Sequence, residues 1–258
     1  MRKKGNDNII YKFASINEYS LKNLILGKLR FNPPTLMNDQ LEGLIKIKNP
    51  GFKPTNSAIN NFIKENNLHS QTARKFIKSN GFVNFYMRYW FNVELKKFGI
   101  SCFTESPTES LMWAHYADKH SGICIIYDKD KLIDNLKELS SQFEFVKVRY
   151  DCQPVIMLKE KDSKIIYESN LPIISTKHAN WQYENEIRIV FKGDEEYTSD
   201  SYFVGNSPVK GIIYGYRISF EDKDALSTIL RNDPQYSNVK EYKEIIDYTT
   251  GHIRIEPD

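Results

Sequence analysis

The chain has 258 residues, enough to bury a proper core without disulfides or metal staples. Its 36 Lys and Arg against 33 Asp and Glu leave a net charge of +3. That near-balance excludes a histone-like nucleic-acid binder and a long charged disordered tail. Three cysteines, with no CxxC pair, argue against a disulfide framework or a thiolate zinc site and fit a reducing cytoplasm. Met1 to Asp7 starts basic but no apolar run follows, and no later stretch has the length of a membrane span, so neither export nor insertion is expected.

In chain order, Ile9 to Phe13 reads as a strand and Asn17 to Leu26 as a helix that Gly27 can stop. Leu29 to Phe31 is a second strand, ended by Asn32-Pro33-Pro34. Asn38-Asp39-Gln40-Leu41-Glu42 has the chemistry of an Asx-turn. Residues 55–97 are patterned as helices, and Phe82, Phe85, Tyr86, Tyr89, Trp90 and Val93 fall on one helical stripe, the signature of a packed core face. This segment is expected as a helical insertion between two β-rich parts.

Gly99 to Phe103 is apolar and reads as a buried strand. Ser106-Pro107-Thr108-Glu109 matches a capping box with proline at the first helical position, predicting a helix through Leu111 to Ala117 that Gly122 ends. Ile123 to Tyr127 is a strand, Lys131 to Leu139 a helix and Phe143 to Tyr150 an alternating strand. Strands near 186–192, 209–214, 238–247 and 252–256 and a helix near 221–231 complete the chain. Without a clean βαβ period, the expected class is α+β with a mixed or antiparallel β core, forming a single domain over residues 1–258.

The segment Trp181 to Phe191 carries the most chemistry. Strand alternation puts Asn185, Ile187, Ile189 and Phe191 on one face and Glu184, Glu186 and Arg188 on the other. One reading is a solvated outer face that neutralises itself. The other is a catalytic edge, in which one carboxylate stabilises a cationic sugar centre while the second accepts a proton. His115 and His120 lie five apart, off the i, i+4 spacing of zinc hydrolases, so no metal site is expected and each is first read as structural. Ser101, Cys102 and Cys124 sit in apolar strands, and neither a nucleophile elbow nor a phosphate-binding glycine loop occurs. Tyr11, Lys12 and Arg30 remain as candidates for contacting a phosphorylated cofactor.

Tyr11-Lys12-Phe13, Leu24 to Phe31, Asn38-Asp39 with Glu42, Phe98 to Glu105, Leu111 to Ala117 with His120-Ser121-Gly122, and Trp181 with Tyr183-Glu184 and Glu186-Ile187-Arg188 together resemble the bacterial domain-of-unknown-function family 2971 (DUF2971) from about residue 9 to 215. The chain departs from that pattern at Gln40, where the family usually has a proline after Asn-Asp. That family's name assigns no activity, but the motif order is also similar to the layout of ADP-ribosyltransferases: an early aromatic-basic strand, a middle strand with a serine, and a late strand with Glu-x-Glu. The second resemblance implies a split sheet and NAD as substrate. Tyr11 or Lys12 would then hold ribose or phosphate, Ser101 brace the pocket, Tyr116 stack on nicotinamide, and Glu186 or Glu184 act as the catalytic acid. Trp113, His115, Trp181 and Arg188 lie in the same segments and join the expected binding set. The first motif lacks the usual Arg or His, and Ser101 stands outside a Ser-Thr-Ser triplet.

The leading expectation is thus an enzyme that transfers ADP-ribose to a macromolecular acceptor, as a toxin or antiphage effector with a defence-system partner. One alternative is a Mg²⁺-dependent nuclease built on Glu184, Glu186 and Asp39 or Asp151. The other is a non-enzymatic interaction module with an aromatic interface.

Overall fold

A computed structural model of the protein describes residues 8–258 except 40, 42, 141, 151, 171, 198, 199, 204, 206 and 207, with residues 200–203 described by their backbone. Met1 to Asp7, Gln40, Glu42 and Asp151 of the sequence reading therefore lie outside the described residues.

The class is α+β, organised on a mixed, mainly antiparallel sheet of eight strands. Their order across the sheet is Ile253–Pro257, Lys240–Ile246, Val209–Tyr214, Ile123–Asp128, Ile9–Ala14, Phe98–Thr104, Glu186–Lys192 and Phe143–Lys147. Within it only Val209–Tyr214 and Lys240–Ile246 run parallel, joined by the helix Phe220–Asn232 as a crossover. That helix and Lys129–Leu139 cover one face, where Leu132, Leu136, Leu226 and Leu230 meet Ile10, Ile125, Ile187 and Ile212. On the other face, Ser110–Tyr116 packs Met112 and Trp113 against Phe13 and Ile213. Among the described residues no helix is long and apolar enough to cross a membrane.

The helical segment expected over 55–97 forms the helices Asn56–Glu65, Ser70–Asn80 and Phe82–Tyr89, followed by two short helical turns that reach Lys97. Its aromatic stripe is core: Phe82, Phe85, Tyr86, Tyr89 and Trp90 are buried against Phe62, Ile100 and Val190. The hairpin Val155–Lys161 and Lys164–Ser169, which the sequence reading left unassigned, supplies Ile156 and Leu158 to the same cluster.

Three boundaries differ from expectation. Ser106 does not cap a helix; its hydroxyl meets Thr108 in a local turn, and the helix begins at Ser110 with Glu109 as its cap. Competition from such short-range side-chain bonds is what displaces the start. The same helix ends at Tyr116, well before Gly122, because Asp118, Lys119 and His120 take left-handed backbone angles. Phe143 to Tyr150 is not one strand: after Lys147 the chain leaves the sheet, and Arg149–Tyr150 pairs in parallel with Thr176–Lys177.

The turn at His120 requires glycine at position 215. A Cβ there would lie 2.1 Å from the His120 carbonyl oxygen, which accepts the Arg217 N–H, while Gly215 N–H donates to Gly122. Gly215→Ala is expected to destabilise by about 1–3 kcal/mol, the usual range for forced overpacking, in urea unfolding. A change below about 0.5 kcal/mol would show that this turn yields freely.

Candidate functional site

The sheet opens at its centre. Ile9–Ala14 is registered with Ile123–Asp128 at six positions but with Phe98–Thr104 at one, Tyr11 opposite Thr104. Beyond that pair the ladder is interrupted, and a cavity of about 220 Å³ lies in the gap, with Tyr11, Lys12, Cys102, Tyr116, Glu184 and Glu186 on its wall. Lys12 bridges the opening: its Nζ donates to Ser101 Oγ at 3.1 Å and to the Cys102 carbonyl at 3.0 Å, and lies 5.0 Å from the centre of the Phe103 ring. An ammonium thus serves a backbone acceptor that the interrupted ladder leaves to it. Burial lowers the pKa of Lys12, with the Glu186 charge acting against that shift.

Glu184, Glu186 and Arg188 are 2%, 3% and 0% exposed, so the solvated-face reading is overturned. The strand also begins later than strict alternation from Trp181 requires. Ala179–Glu184 is a short 3-10 helix, Asn185 is left-handed (φ 42°, ψ 52°), and Glu186 opens the strand. Asparagine tolerates that conformation better than most residues. Both carboxylates still reach one cavity, because the left-handed residue turns the chain between them.

Arg188 and Lys177 organise the pair. Arg188 donates from Nε and Nη2 to the two Glu186 oxygens at 2.8 and 2.9 Å and from Nη1 to the Ile174 carbonyl at 3.1 Å. Lys177 Nζ stands 2.6 Å from Glu184 Oε2 and 3.4 Å from Glu186 Oε2, over the Trp181 ring at 4.6 Å. Tyr116 donates to Glu184 Oε1 at 2.5 Å. Lys177 is placed by the small parallel ladder, whose other strand contributes Tyr150; that hydroxyl accepts the Glu186 backbone N–H at 2.9 Å.

The two carboxylates are driven apart in proton affinity. Burial opposes the charge on Glu186, yet the Arg188 guanidinium and its hydrogen bonds hold the carboxyl down to about 2. Burial raises Glu184, and the neighbouring Glu186 charge adds to this against the pull of Lys177. Burial would lower Lys177, but Glu186 and Glu184 together raise it. Burial likewise raises the Cys102 thiol and the Tyr116 phenol, so neither is a ready nucleophile at neutral pH. Lone pairs separate the two acids as well. Glu186 already serves Arg188 twice, Lys177 and the Cys102 thiol. Glu184 serves Tyr116 and Lys177, one on each oxygen, leaving each oxygen a direction for a ligand.

Of the residues expected from sequence, Tyr11, Lys12, Tyr116, Glu184 and Glu186 line one cavity. Ser101 and Arg188 stand immediately behind it, holding Lys12 and Glu186 respectively. Trp181 backs Lys177. Trp113 is core instead: it is 0% exposed, donates to the Pro107 carbonyl, and packs edge-on against Phe13 and flat against His120. His115 is exposed, near the Tyr116 and Tyr183 rings and off the cavity wall, because it sits on the outer side of its helix. His120 pairs with buried Glu244 at 2.8 Å. Asp39 accepts the Leu41 N–H as an Asx-turn would have it. Lys177 was missed by sequence reasoning; a single lysine between Thr176 and His178 carries no pattern, and only chain folding sets it between two acids.

Residues 112–189 match the family described as Protein of unknown function (DUF2971). The match takes in Tyr116, Lys177, Glu184, Glu186 and Arg188, whereas the wider resemblance read from sequence also included the strands of Tyr11 and Ser101. No curated protein and no solved structure matches the chain.

Proposed function

We propose that this member of the DUF2971 family is a glycosyl-transfer enzyme that acts on NAD, breaking the nicotinamide–ribose bond and passing ADP-ribose to a macromolecular acceptor. The observation that carries the reading is the Glu184–Glu186 pair: two carboxylates on one cavity wall, one held ionised and one with raised proton affinity. Environments that push two acids apart in this way are the usual mark of divided acid-base roles. The opening in the sheet between the Tyr11 and Ser101 strands also agrees with the split β core that the ADP-ribosyltransferase layout implies.

In this reading the C1′–N bond breaks with its electron pair leaving on nicotinamide, which becomes neutral. The positive charge then rests on the ribosyl centre, beside the Glu186–Arg188 pair and the free edge of Glu184. A nucleophilic oxygen or nitrogen of the acceptor bonds to C1′, and its proton passes to Glu184. Tyr11 and Tyr116 supply aromatic walls, and Lys177 steadies the Glu184 carboxylate.

The nuclease alternative is less well served, since Lys177 and Arg188 already occupy the places where a cation would neutralise Glu184 and Glu186. Among the described residues, no three His, Cys, Asp or Glu side chains come together as a metal-holding group. The interaction-module alternative loses ground because polar residues from the separate motifs converge on one cavity.

Release of nicotinamide from NAD by the purified chain, followed by chromatography with and without protein acceptors, tests the proposal. Intact NAD after prolonged incubation across pH 5–9 would overturn it.

A further inference from the structure

A second cavity, of about 310 Å³, adjoins the first and shares Lys12, Phe13, Arg30, Asn32 and Tyr116 with it. The two differ in charge. The first sets Glu184 and Glu186 against Lys12, Arg30 and Lys177, whereas the second is lined by Lys12, Lys28 and Arg30 and by no carboxylate. Lys28 and Arg30 project to the same side of their strand because Leu29 and Phe31, at 1% and 0% exposed, take the opposite side into the core. Neither cation has a carboxylate partner among the described side chains.

Arg30 is held in place by its neighbours. Its Nε donates to Asn32 Oδ1 at 3.1 Å, and its guanidinium lies 5.4 Å over the Tyr19 ring. One nitrogen and one face are thereby fixed, and the terminal nitrogens remain as a fork for paired oxygens. The helix Glu18–Ile25 begins on the same cavity, with Asn17, Tyr19 and Ser20 on the wall; its N-terminus is closed by the Asn17–Ser20 capping box and carries Glu18 in its first turn, so the anion-binding charge comes from the side-chain cations. Size supports a joined site: the first cavity is below the roughly 300 Å³ at which small-molecule sites begin, and the two together fall within the usual range.

We infer that this second cavity is a binding site for the diphosphate of a nucleotide, with Arg30 as its principal anchor and Lys28 and Lys12 as supporting charges. A nucleic-acid strand would call for a basic track spaced along successive phosphates; these three cations converge on one cavity instead. The inference rests on the NAD reading only for direction: it sets the diphosphate at Arg30 and the cationic nicotinamide end toward Glu184 and Glu186.

Calorimetric titration of the purified chain at about 0.15 M salt, with pyrophosphate, ADP and nicotinamide riboside as separate probes, tests the site. Pyrophosphate and ADP are expected to bind, and Arg30→Gln to weaken both by about ten-fold or more, the loss expected for charge-assisted hydrogen bonds. Lys28→Gln is expected to have a smaller effect in the same direction, and binding of nicotinamide riboside, which lacks phosphate, to stay at the wild-type level in both variants. Binding of ADP that ignores both substitutions, no binding of ADP or pyrophosphate, or tighter binding of an oligonucleotide than of ADP would overturn the site. Arg30-dependent ADP binding without nicotinamide release would uphold the anion site while removing the glycosyl-transfer reading.

Discussion

Replacing Arg188 with methionine is expected to lower the melting temperature by roughly 6–20 °C. The guanidinium is fully buried and spends three nitrogens on Glu186 and the Ile174 carbonyl. Methionine fills much of the volume but leaves Glu186 as a buried charge without its bidentate partner, with Lys177 at 3.4 Å and the field of Lys12 as the cations that remain. Breaking one side of a buried ion pair costs about 3–5 kcal/mol, and in a chain of this size each kcal/mol is worth about 2–4 °C. Removing both charges, as in Arg188→Met with Glu186→Leu, is expected to recover a large part of the loss, since an apolar replacement of a whole buried pair is often near neutral. Calorimetric melting of the single and double variants measures both effects; a shift under about 2 °C in the single variant would contradict the pairing.

Acid titration reports on the same pair. The Glu186 carboxyl is held at about 2, below its ordinary value of 4.5, so its ionisation stabilises the fold fully above pH 4.5. That stabilisation is lost as the pH falls from 4.5 toward 2. Glu184 acts in the opposite sense, because its raised value lets the folded state keep a proton that the unfolded chain has released. Its ionisation therefore costs stability as pH rises above its unfolded value. Arg188→Met is expected to flatten the acid limb, and Glu184→Gln to flatten the slope above it.

Glu184→Gln is expected to reduce nicotinamide release by about 10²–10⁴-fold, the span usual for loss of a general acid-base group. Glutamine keeps the size and can still accept the Tyr116 hydroxyl, so the melting temperature should move far less than in the Arg188 variant. The rate in the parent chain should rise as pH passes the raised proton affinity of Glu184, and this limb should vanish in the variant. Glu186→Gln is a poorer probe, because it strands Arg188 and so mixes lost chemistry with lost stability. Near-parental turnover by a folded Glu184→Gln chain would remove Glu184 from the mechanism.

Much of this architecture follows from local pattern. Apolar runs bounded by polar residues marked the strands at 9–14, 98–104, 123–128 and 186–192, and the stripe from Phe82 to Trp90 marked a packed helix. Asn17 and Gly27 bracketed the first helix for reasons of cap geometry alone, the asparagine accepting the Ser20 N–H and the glycine taking φ 58°. The motif segments at Tyr11, Tyr116 and Glu184 to Glu186 also stood out, because charged and aromatic residues interrupt stretches that otherwise read as core.

Other features had no local signature. Whether Trp113 or Tyr116 faced the cavity depended on which side of a seven-residue helix met the sheet, and Trp113 met Phe13. Glu184 reached the cavity through a 3-10 turn and a left-handed asparagine, where strand alternation had placed it on an outer face. Lys177 came to the pair through a two-residue parallel ladder with Arg149–Tyr150, and pairing of that kind depends on distant chain segments.

The +3 charge and the length of the chain determined by themselves that no long electrostatic footprint was to be expected and that a buried apolar core could form. Tertiary structure alone decided how that charge is spent. Opening the sheet beside Tyr11 gathers acids and cations from separate segments around one cleft: Glu184 and Glu186 stand with Lys177 on the wall of one cavity, and Lys28 joins the shared Lys12 and Arg30 on the wall of the other. Composition sums charges over the chain, whereas the field at a site depends on which of them folding brings within a few ångströms and which of them it removes from water.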